Sequence, residues 1–272
     1  AINGDYLNVT LRLFESQGWI KRKLIKKNSI KVESTKEGLD IFNNSNLYNK
    51  FFLFYPCLTK LNFNKKNAYQ KLNEFLDEFN ELEKNTKNKT ILKHIEGLII
   101  GTTLVELGMK NLIKIEVKNK LVFDNIISDQ NRKFIIRLFE KFNFLKNNKM
   151  TDKGMFFYNR SSAYGVTVSY MPLFTQLKIL LFKDTSNILV RDKDGNELHV
   201  NRKMNVWGSG GAHKLYFKKI DEIILEIFNK PIEMQPKGIA DMGCGDGTLL
   251  MHLYKLIKEK TIRGENLKNY PL

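Results

Sequence analysis

An internal repeat constrains the fold of this chain more than any other feature. Leu11-Arg12-Leu13-Phe14-Glu15-Ser16-Gln17-Gly18-Trp19-Ile20-Lys21 matches Ile136-Arg137-Leu138-Phe139-Glu140-Lys141-Phe142-Asn143-Phe144-Leu145-Lys146. Each copy is followed by a Thr-x-x-Gly, from Thr35 to Gly38 and from Thr151 to Gly154. Both segments begin as amphipathic helices and stop at Gly18 or Asn143, residue types that tolerate the left-handed conformation closing a helix. An aromatic–aliphatic pair follows, then a short extended run, then a threonine placed to cap the next helix. The first copy inserts residues 21–34, where Ile25, Ile30 and Val32 fit a basic β-hairpin turning at Lys27-Asn28.

Helix, hairpin and capped helix in that order resemble a winged-helix unit. Such units read DNA in many proteins and serve as dimerisation or lid elements in many enzymes. A DNA reader sets Arg, Asn, Gln or Ser on the exposed face of its recognition helix. Here the faces carry Asn8, Arg12, Glu15 and Ser16 in one copy and Lys133, Arg137, Glu140 and Lys141 in the other. Glu15 and Glu140 would then face phosphates. The net charge of +16 invites a nucleic-acid reading, since clustered cations bind phosphate by releasing counterions. The lysines, however, are spread along the whole chain among Asn, Ile and Phe, and arginine is scarce. A structural role for both units, including pairing of two copies of the chain, is therefore preferred. A nucleic-acid-binding protein with a degenerate cofactor domain is the alternative.

At 272 residues the chain is long enough for roughly two compact units. A membrane span needs about 18 or more apolar residues in a row. The best candidate, Gly97 to Val105, is short and closed by Glu96 and Glu106. No basic segment followed by an apolar one marks the N-terminus as a secretory signal. Two cysteines, Cys57 and Cys244, cannot build a disulfide framework, which fits a reducing, cytoplasmic setting.

The expected organisation is a helical region over 1–160 with the two winged-helix-like repeats, a lid or substrate region over 161–230, and the start of a nucleotide-binding domain over 231–272. The fold class is thus mainly α with winged-helix and β-hairpin elements, followed by the truncated start of an α/β Rossmann-type domain. Tyr69, Leu72, Phe75, Leu76, Phe79 and Leu82 form a helical stripe, more often core than cofactor site. A second helical stretch spans Ile91 to Ile113, with His94 as a structural residue. Asp194-Gly195 between β-formers predicts a hairpin over residues 187–200. Trp207-Gly208-Ser209-Gly210-Gly211-Ala212-His213 is expected to be a glycine-rich loop ahead of a helix from Lys219 to Phe228.

Chemistry concentrates in Gly238-Ile239-Ala240-Asp241-Met242-Gly243-Cys244-Gly245-Asp246-Gly247-Thr248. A short strand runs into a Gly-x-Gly-x-Gly turn, and a helix begins near Thr248. The glycines would permit the tight turn, close approach of a ligand, and close packing of helix on strand. The helix N-terminus offers free N–H groups to an anionic ligand group. A dinucleotide fingerprint requires glycine where Thr248 stands. An acidic residue two places before the first glycine is instead the pattern of class I S-adenosylmethionine (SAM) methyltransferases. Asp241 and Asp246 suit a cationic ligand and would repel a pyrophosphate.

Over Tyr164 to Thr248 the sequence resembles a narrower group. Val206-Trp207-Gly208-Ser209-Gly210-Gly211-Ala212-His213, followed by Gln235-Pro236 and the motif through Gly247, is similar to the methyltransferase domains of polyketide synthase loading modules, the apratoxin and saxitoxin starter type. Gly4, Tyr6, Leu7 and Ser16 to Ile20 match the N-terminal part of those proteins. The resemblance implies carbon methylation of a malonyl-type acyl group on an acyl carrier protein, among neighbouring synthase domains. In some members it also implies a divalent metal ion, for which no ligand set is recognisable by spacing here. A class I domain of this type has further strands and a ribose-binding acid beyond about Lys260, where this sequence soon ends. Residues 1–272 alone are accordingly not expected to form a working enzyme.

The candidate cofactor residues are Asp241, Gly243, Gly245, Asp246 and Gly247, with Ser209 and Gly210 offering contacts to the methionine carboxylate. His213 is the candidate general base, having an imidazole that titrates near neutrality. Tyr164 and Tyr170 are candidates for lining an acyl pocket, beside a core-packing role for both. His199 and His252 are expected to be surface and helix residues, and Cys244 a small packing residue.

Overall fold

The computed structural model describes residues 2–26, 29–58, 66–86, 89–210 and 213–272, without the side chains of 54, 57, 66–69, 213–215 and 218. Its elements are α1 (Gly4–Ser16), β1 (Ile20–Lys26), β2 (Ser29–Ser34), α2 (Lys36–Asn43), α3 (Asn46–Leu58), α4 (Lys66–Asn85), α5 (Lys89–Met109), β3 (Ile113–Ile115) and β4 (Leu121–Phe123). There follow α6 (Asp129–Lys141), β5 (Leu145–Lys146), β6 (Lys149–Met150), α7 (Asp152–Tyr158), α8 (Ser161–Ser169), α9 (Met171–Phe174) and α10 (Leu177–Phe182). The remaining helices are α11 (Arg202–Gly210), α12 (His213–Phe228), α13 (Thr248–Lys260) and α14 (Ile262–Glu265). The chain divides into compact units at 1–205 and 206–272, and the division falls within α11.

Both copies form a helix, a hairpin and a capped helix, and the bonds at their junctions correspond. Gly18 and Asn143 take φ of 76° and 60° after α1 and α6. Trp19 N–H donates to Phe14 O at 2.9 Å, and Phe144 N–H to Phe139 O at 2.7 Å. The chain then returns along the wing. Thr35 N–H donates to Trp19 O at 2.9 Å, and Thr151 N–H to Phe144 O at 3.0 Å. Each threonine hydroxyl donates to the helix-ending residue, Gly18 O or Asn143 O, at 2.7 Å. Each also accepts from the N–H three residues on, Gly38 or Gly154, at 3.0 Å. One side chain thus ties the end of one helix to the start of the next. Replacing Thr151 by Val keeps the shape and removes both bonds, and a cap of this kind is worth about 0.5–2 kcal/mol. Urea unfolding should show Thr151→Val and Thr35→Val losing stability in that range.

The wings differ in size. β1 and β2 pair antiparallel from Ile20↔Ser34 to Lys26↔Ser29, and their expected turn, Lys27-Asn28, lies outside the described residues. β5 and β6 pair over Leu145↔Met150 and Lys146↔Lys149 only.

The first unit is organised around α5. Ile91, Ile95, Ile99, Leu104 and Leu107 are fully buried, because α3 and α8 both pack along it. Thr102 and Thr103, also buried, donate to Leu98 O and Ile99 O, satisfying hydroxyls that would otherwise be costly inside. The helical stripe forms as expected on α4, with Leu72, Phe75, Leu76 and Phe79 buried and Leu82 half-buried; Tyr69's side chain lies outside the described residues. α5 stops at Met109, short of the expected Ile113. A β3–β4 hairpin, pairing Ile113↔Phe123, takes the residues beyond, a feature not foreseen.

The hairpin expected over residues 187–200 narrows to one bridge, Arg191↔Glu197. Gly195 does adopt φ of 82°, but the Asp192 carboxylate accepts the N–H groups of Asp194 and Asn196 at 2.9 and 2.8 Å. Side-chain bonding of this kind competes with a strand ladder. In the second unit, α12 packs on α13 through Ile224, Phe228, Leu253, Leu256 and Ile257. No helix among the described residues is long and apolar enough to cross a membrane.

Candidate functional site

The cofactor motif lies wholly in the second unit. Gly243, Gly245 and Gly247 take φ of 89°, 60° and 79°, a region in which an L side chain costs roughly 1–2 kcal/mol. A Cβ would meet nothing within 4 Å at Gly243 or Gly247, and only Val206 Cγ1 at 3.8 Å at Gly245. Backbone handedness therefore accounts for glycine at all three positions. The expected packing role of the last glycine is not seen. Gly247 N–H closes the turn onto Cys244 O at 2.9 Å, and Asp246 Oδ1 accepts from Thr248 N–H at 3.0 Å. Asp246 therefore helps to start α13. Asp241 stands half-buried just before the turn, while Met242, Cys244 and Gly245 are exposed.

The strand expected over Gly238 to Met242 does not form. A strand exists through its ladder, and among the described residues every strand pairing is an antiparallel hairpin within the first unit. Ile239 nevertheless packs against the α12–α13 core, which seats the segment ahead of the motif.

The glycine-rich loop is also corrected. Trp207 to Gly210 are the last turns of α11, whose start is capped by Asn201 Oδ1 accepting Met204 N–H at 3.0 Å. Burial of Met204 and Gly208 carries the helix through glycines that weaken it intrinsically. Ser209 Oγ donates to its own helix at Val206 O, at 3.1 Å. Gly211 and Ala212 lie outside the described residues. His213 is the first residue of α12, so that helix starts six residues before the expected Lys219, and the His213 side chain lies outside the description.

The two candidate tyrosines separate. Tyr164 lines an apolar cavity of the first unit and stacks on Phe157 at 6.1 Å. Tyr170 does not line it and sits beside Arg202, which grips Glu197 with two bonds of 2.7 and 2.8 Å. His94 accepts or donates at Nδ1 with the Tyr48 hydroxyl, 2.9 Å away.

His252 on α13 pairs with Asp221 on α12 at 2.6 Å and stacks on Phe217 at 4.8 Å. The two partners are 31 residues apart, and no local signal marks the pair. His199 Nδ1 is buried without a hydrogen-bond partner among the described residues, so this histidine is not a plain surface group. Cys244 is free and exposed, which corrects its expected packing role. No group of three or more His, Cys, Asp or Glu among the described residues is placed to hold a metal ion.

The helix faces of the winged units are engaged internally. Glu15 accepts from both Arg22 N–H and its guanidinium, at 3.0 and 2.8 Å, locking α1 to its own wing. On α6, Arg137 pairs with Asp77 and Lys141 with Glu83, both on α4. Two of the three cations on that face of α6, Arg137 and Lys141, are thus matched by carboxylates of α4.

A winged-helix region followed by part of a methyltransferase-like domain is the class that these features define. Residues 96–184 match the family described as the AprA winged helix domain, and residues 197–272 match the AprA MT2-like domain. Across both segments the chain is similar to apratoxin-type methyltransferases. The second winged-helix copy falls inside the matched residues, and the first, ending at Asn43, precedes them. No curated protein matches the chain.

Proposed function

We propose that the chain belongs to a SAM-dependent methyltransferase that methylates carbon in an acyl group, of malonyl type and carried on an acyl carrier protein. The observation that carries this reading is the turn from Gly243 to Gly247, with three left-handed glycines, an acid before it and a helix N-terminus after it. The open space around these glycines suits a ligand lying directly on the backbone. Asp241 would accept from the methionine ammonium, and the first N–H groups of α13 would favour the carboxylate. SAM supplies an electrophilic methyl group when bound. His213 is assigned the removal of a proton from the substrate carbon, and the chain otherwise contributes orientation and exclusion of water. Ser209 and Gly210 remain candidates for the methionine carboxylate through their end of α11. The described residues offer no fitting ligand set for the metal implied by the resemblance, and no step is assigned to one.

Calorimetric titration of SAM into the full-length protein tests the reading. Asp241→Asn should weaken binding by about 1.5–3 kcal/mol, the worth of a charge-assisted hydrogen bond. Gly245→Val should weaken it about ten-fold or more, because a β-branched residue resists φ near +60°. Unchanged affinity in both variants would move the cofactor site elsewhere.

A further inference from the structure

The first unit holds a cavity of about 490 Å³, lined in part by Tyr164, to which the proposed methyl transfer assigns no step. Tyr48 of α3, Lys93, His94, Gly97 and Leu98 of α5, and Tyr164, Thr167, Val168 and Met171 around α8 line it. Its size lies within the usual range of small-molecule sites, about 300–1,000 Å³, and such sites are apolar with a few convergent polar groups. The walls are Leu98, Val168, Met171 and two tyrosine rings. The polar groups inside stay uncharged at neutral pH. Burial lowers the His94 pKa below its ordinary value, pushes Tyr48 up to about 12 and raises Tyr164 as well. The Tyr48–His94 bond satisfies these two groups without introducing charge. Among the lining residues Lys93 alone carries a charge, and none is acidic. Lys93 is solvent-exposed, whereas the apolar wall residues are buried or half-buried. The lining therefore joins an apolar interior to one cation at its edge.

We propose that this cavity binds a medium-chain aliphatic carboxylate, its chain against Leu98, Val168, Met171 and the tyrosine rings and its carboxylate at Lys93. The site is built entirely from the first unit and does not depend on the cofactor motif. Gly97 gives a clean way to close it. A Cβ at that position meets nothing within 4 Å, so a larger side chain enters open space, and replacing a helical glycine stabilises the helix.

Titration calorimetry of the chain with octanoate, and with 1-octanol as the uncharged control, is the test. Octanoate should bind saturably with one site per chain. Gly97→Leu should weaken that binding at least ten-fold without lowering the melting temperature. Lys93→Gln should weaken octanoate about three- to five-fold, as loss of one exposed charge pair would, and leave 1-octanol unchanged. Gly101→Ala, on the same helix but outside the cavity, should bind like the parent. Absence of saturable octanoate binding, or full binding by Gly97→Leu, would overturn the site. An equal effect of Lys93→Gln on both ligands, or none on either, would overturn the carboxylate.

Discussion

Gly154→Ala should destabilise the first unit by about 3 kcal/mol or more, at the upper end of what overpacking one methyl group costs. An added Cβ would lie 2.2 Å from Phe144 O and 3.0 Å from Met150 Cε. The methionine can move, but the carbonyl cannot. Phe144 O already accepts Thr151 N–H, and Thr151 caps the helix that carries Gly154. Relief of the clash therefore requires separating α7 from the end of α6, which breaks the bonds that define the motif. The repeat makes a second, independent version of the experiment. At Gly38 the added Cβ would lie 1.9 Å from Trp19 O, whose partner is Thr35 N–H. Gly38→Ala should thus lose as much as Gly154→Ala. Gly101→Ala meets nothing within 4 Å and should gain about 0.5–1 kcal/mol from helix propensity. Urea unfolding of the three variants checks the contrast. Loss of less than about 1 kcal/mol at Gly154 would mean that the two helices are not held as described.

The repeat was legible because its turns and caps are local. A helix-ending glycine or asparagine, a threonine and a glycine three residues later are set by short-range backbone geometry, so residue type reports conformation directly. The same holds for Gly243, Gly245 and Gly247. Local pattern and structure diverge where a distant or competing partner decides the conformation. Trp207 to Gly210 have glycine-loop composition, yet the Asn201 cap and burial of Met204 and Gly208 keep them helical. Asp194-Gly195 predicts a hairpin, but the Asp192 carboxylate captures the amides first. Gly238 to Met242 has the composition of a strand, and strand state is a property of a sheet. The Tyr48–His94 pair spans 46 positions and the Asp221–His252 pair 31. Neither spacing carries a pattern that one chain could reveal. The nucleic-acid alternative turned on the same kind of information, since the partners of Arg137 and Lys141 lie on α4, 60 and 58 residues earlier in the chain.

Arg263→Met should cost the second unit about 1–3 kcal/mol, the range for leaving a buried acceptor without its donor. Arg263 is 3% exposed, and nothing in its sequence context marks it as interior. Its Nε–H donates to Tyr270 O at 2.8 Å, and its terminal nitrogens donate to Gln235 Oε1, Pro236 O, Lys237 O and Pro271 O at 3.2, 3.4, 3.2 and 3.3 Å. The guanidinium also lies 5.9 Å from the ring centres of Phe228 and Tyr270. These acceptors are neutral, so the charge is held by carbonyl and amide dipoles, and every bond is charge-assisted. Methionine would fill most of the volume and leave Gln235 Oε1 buried without a donor. Lysine would keep the charge but not the planar fork that reaches several acceptors at once. Arg263→Lys should therefore lose nearly as much stability as Arg263→Met. The consequence reaches the candidate site along the chain, because Gln235 and Lys237 directly precede the segment from Gly238 into the glycine turn. Hydrogen exchange should show protection lost at the Gly264, Asn266 and Tyr270 amides, which are bonded in the parent. Thermal unfolding supplies the stability. An Arg263→Lys variant as stable as the parent would show that charge alone suffices, and that the five-membered cradle of oxygens does not hold the second unit together.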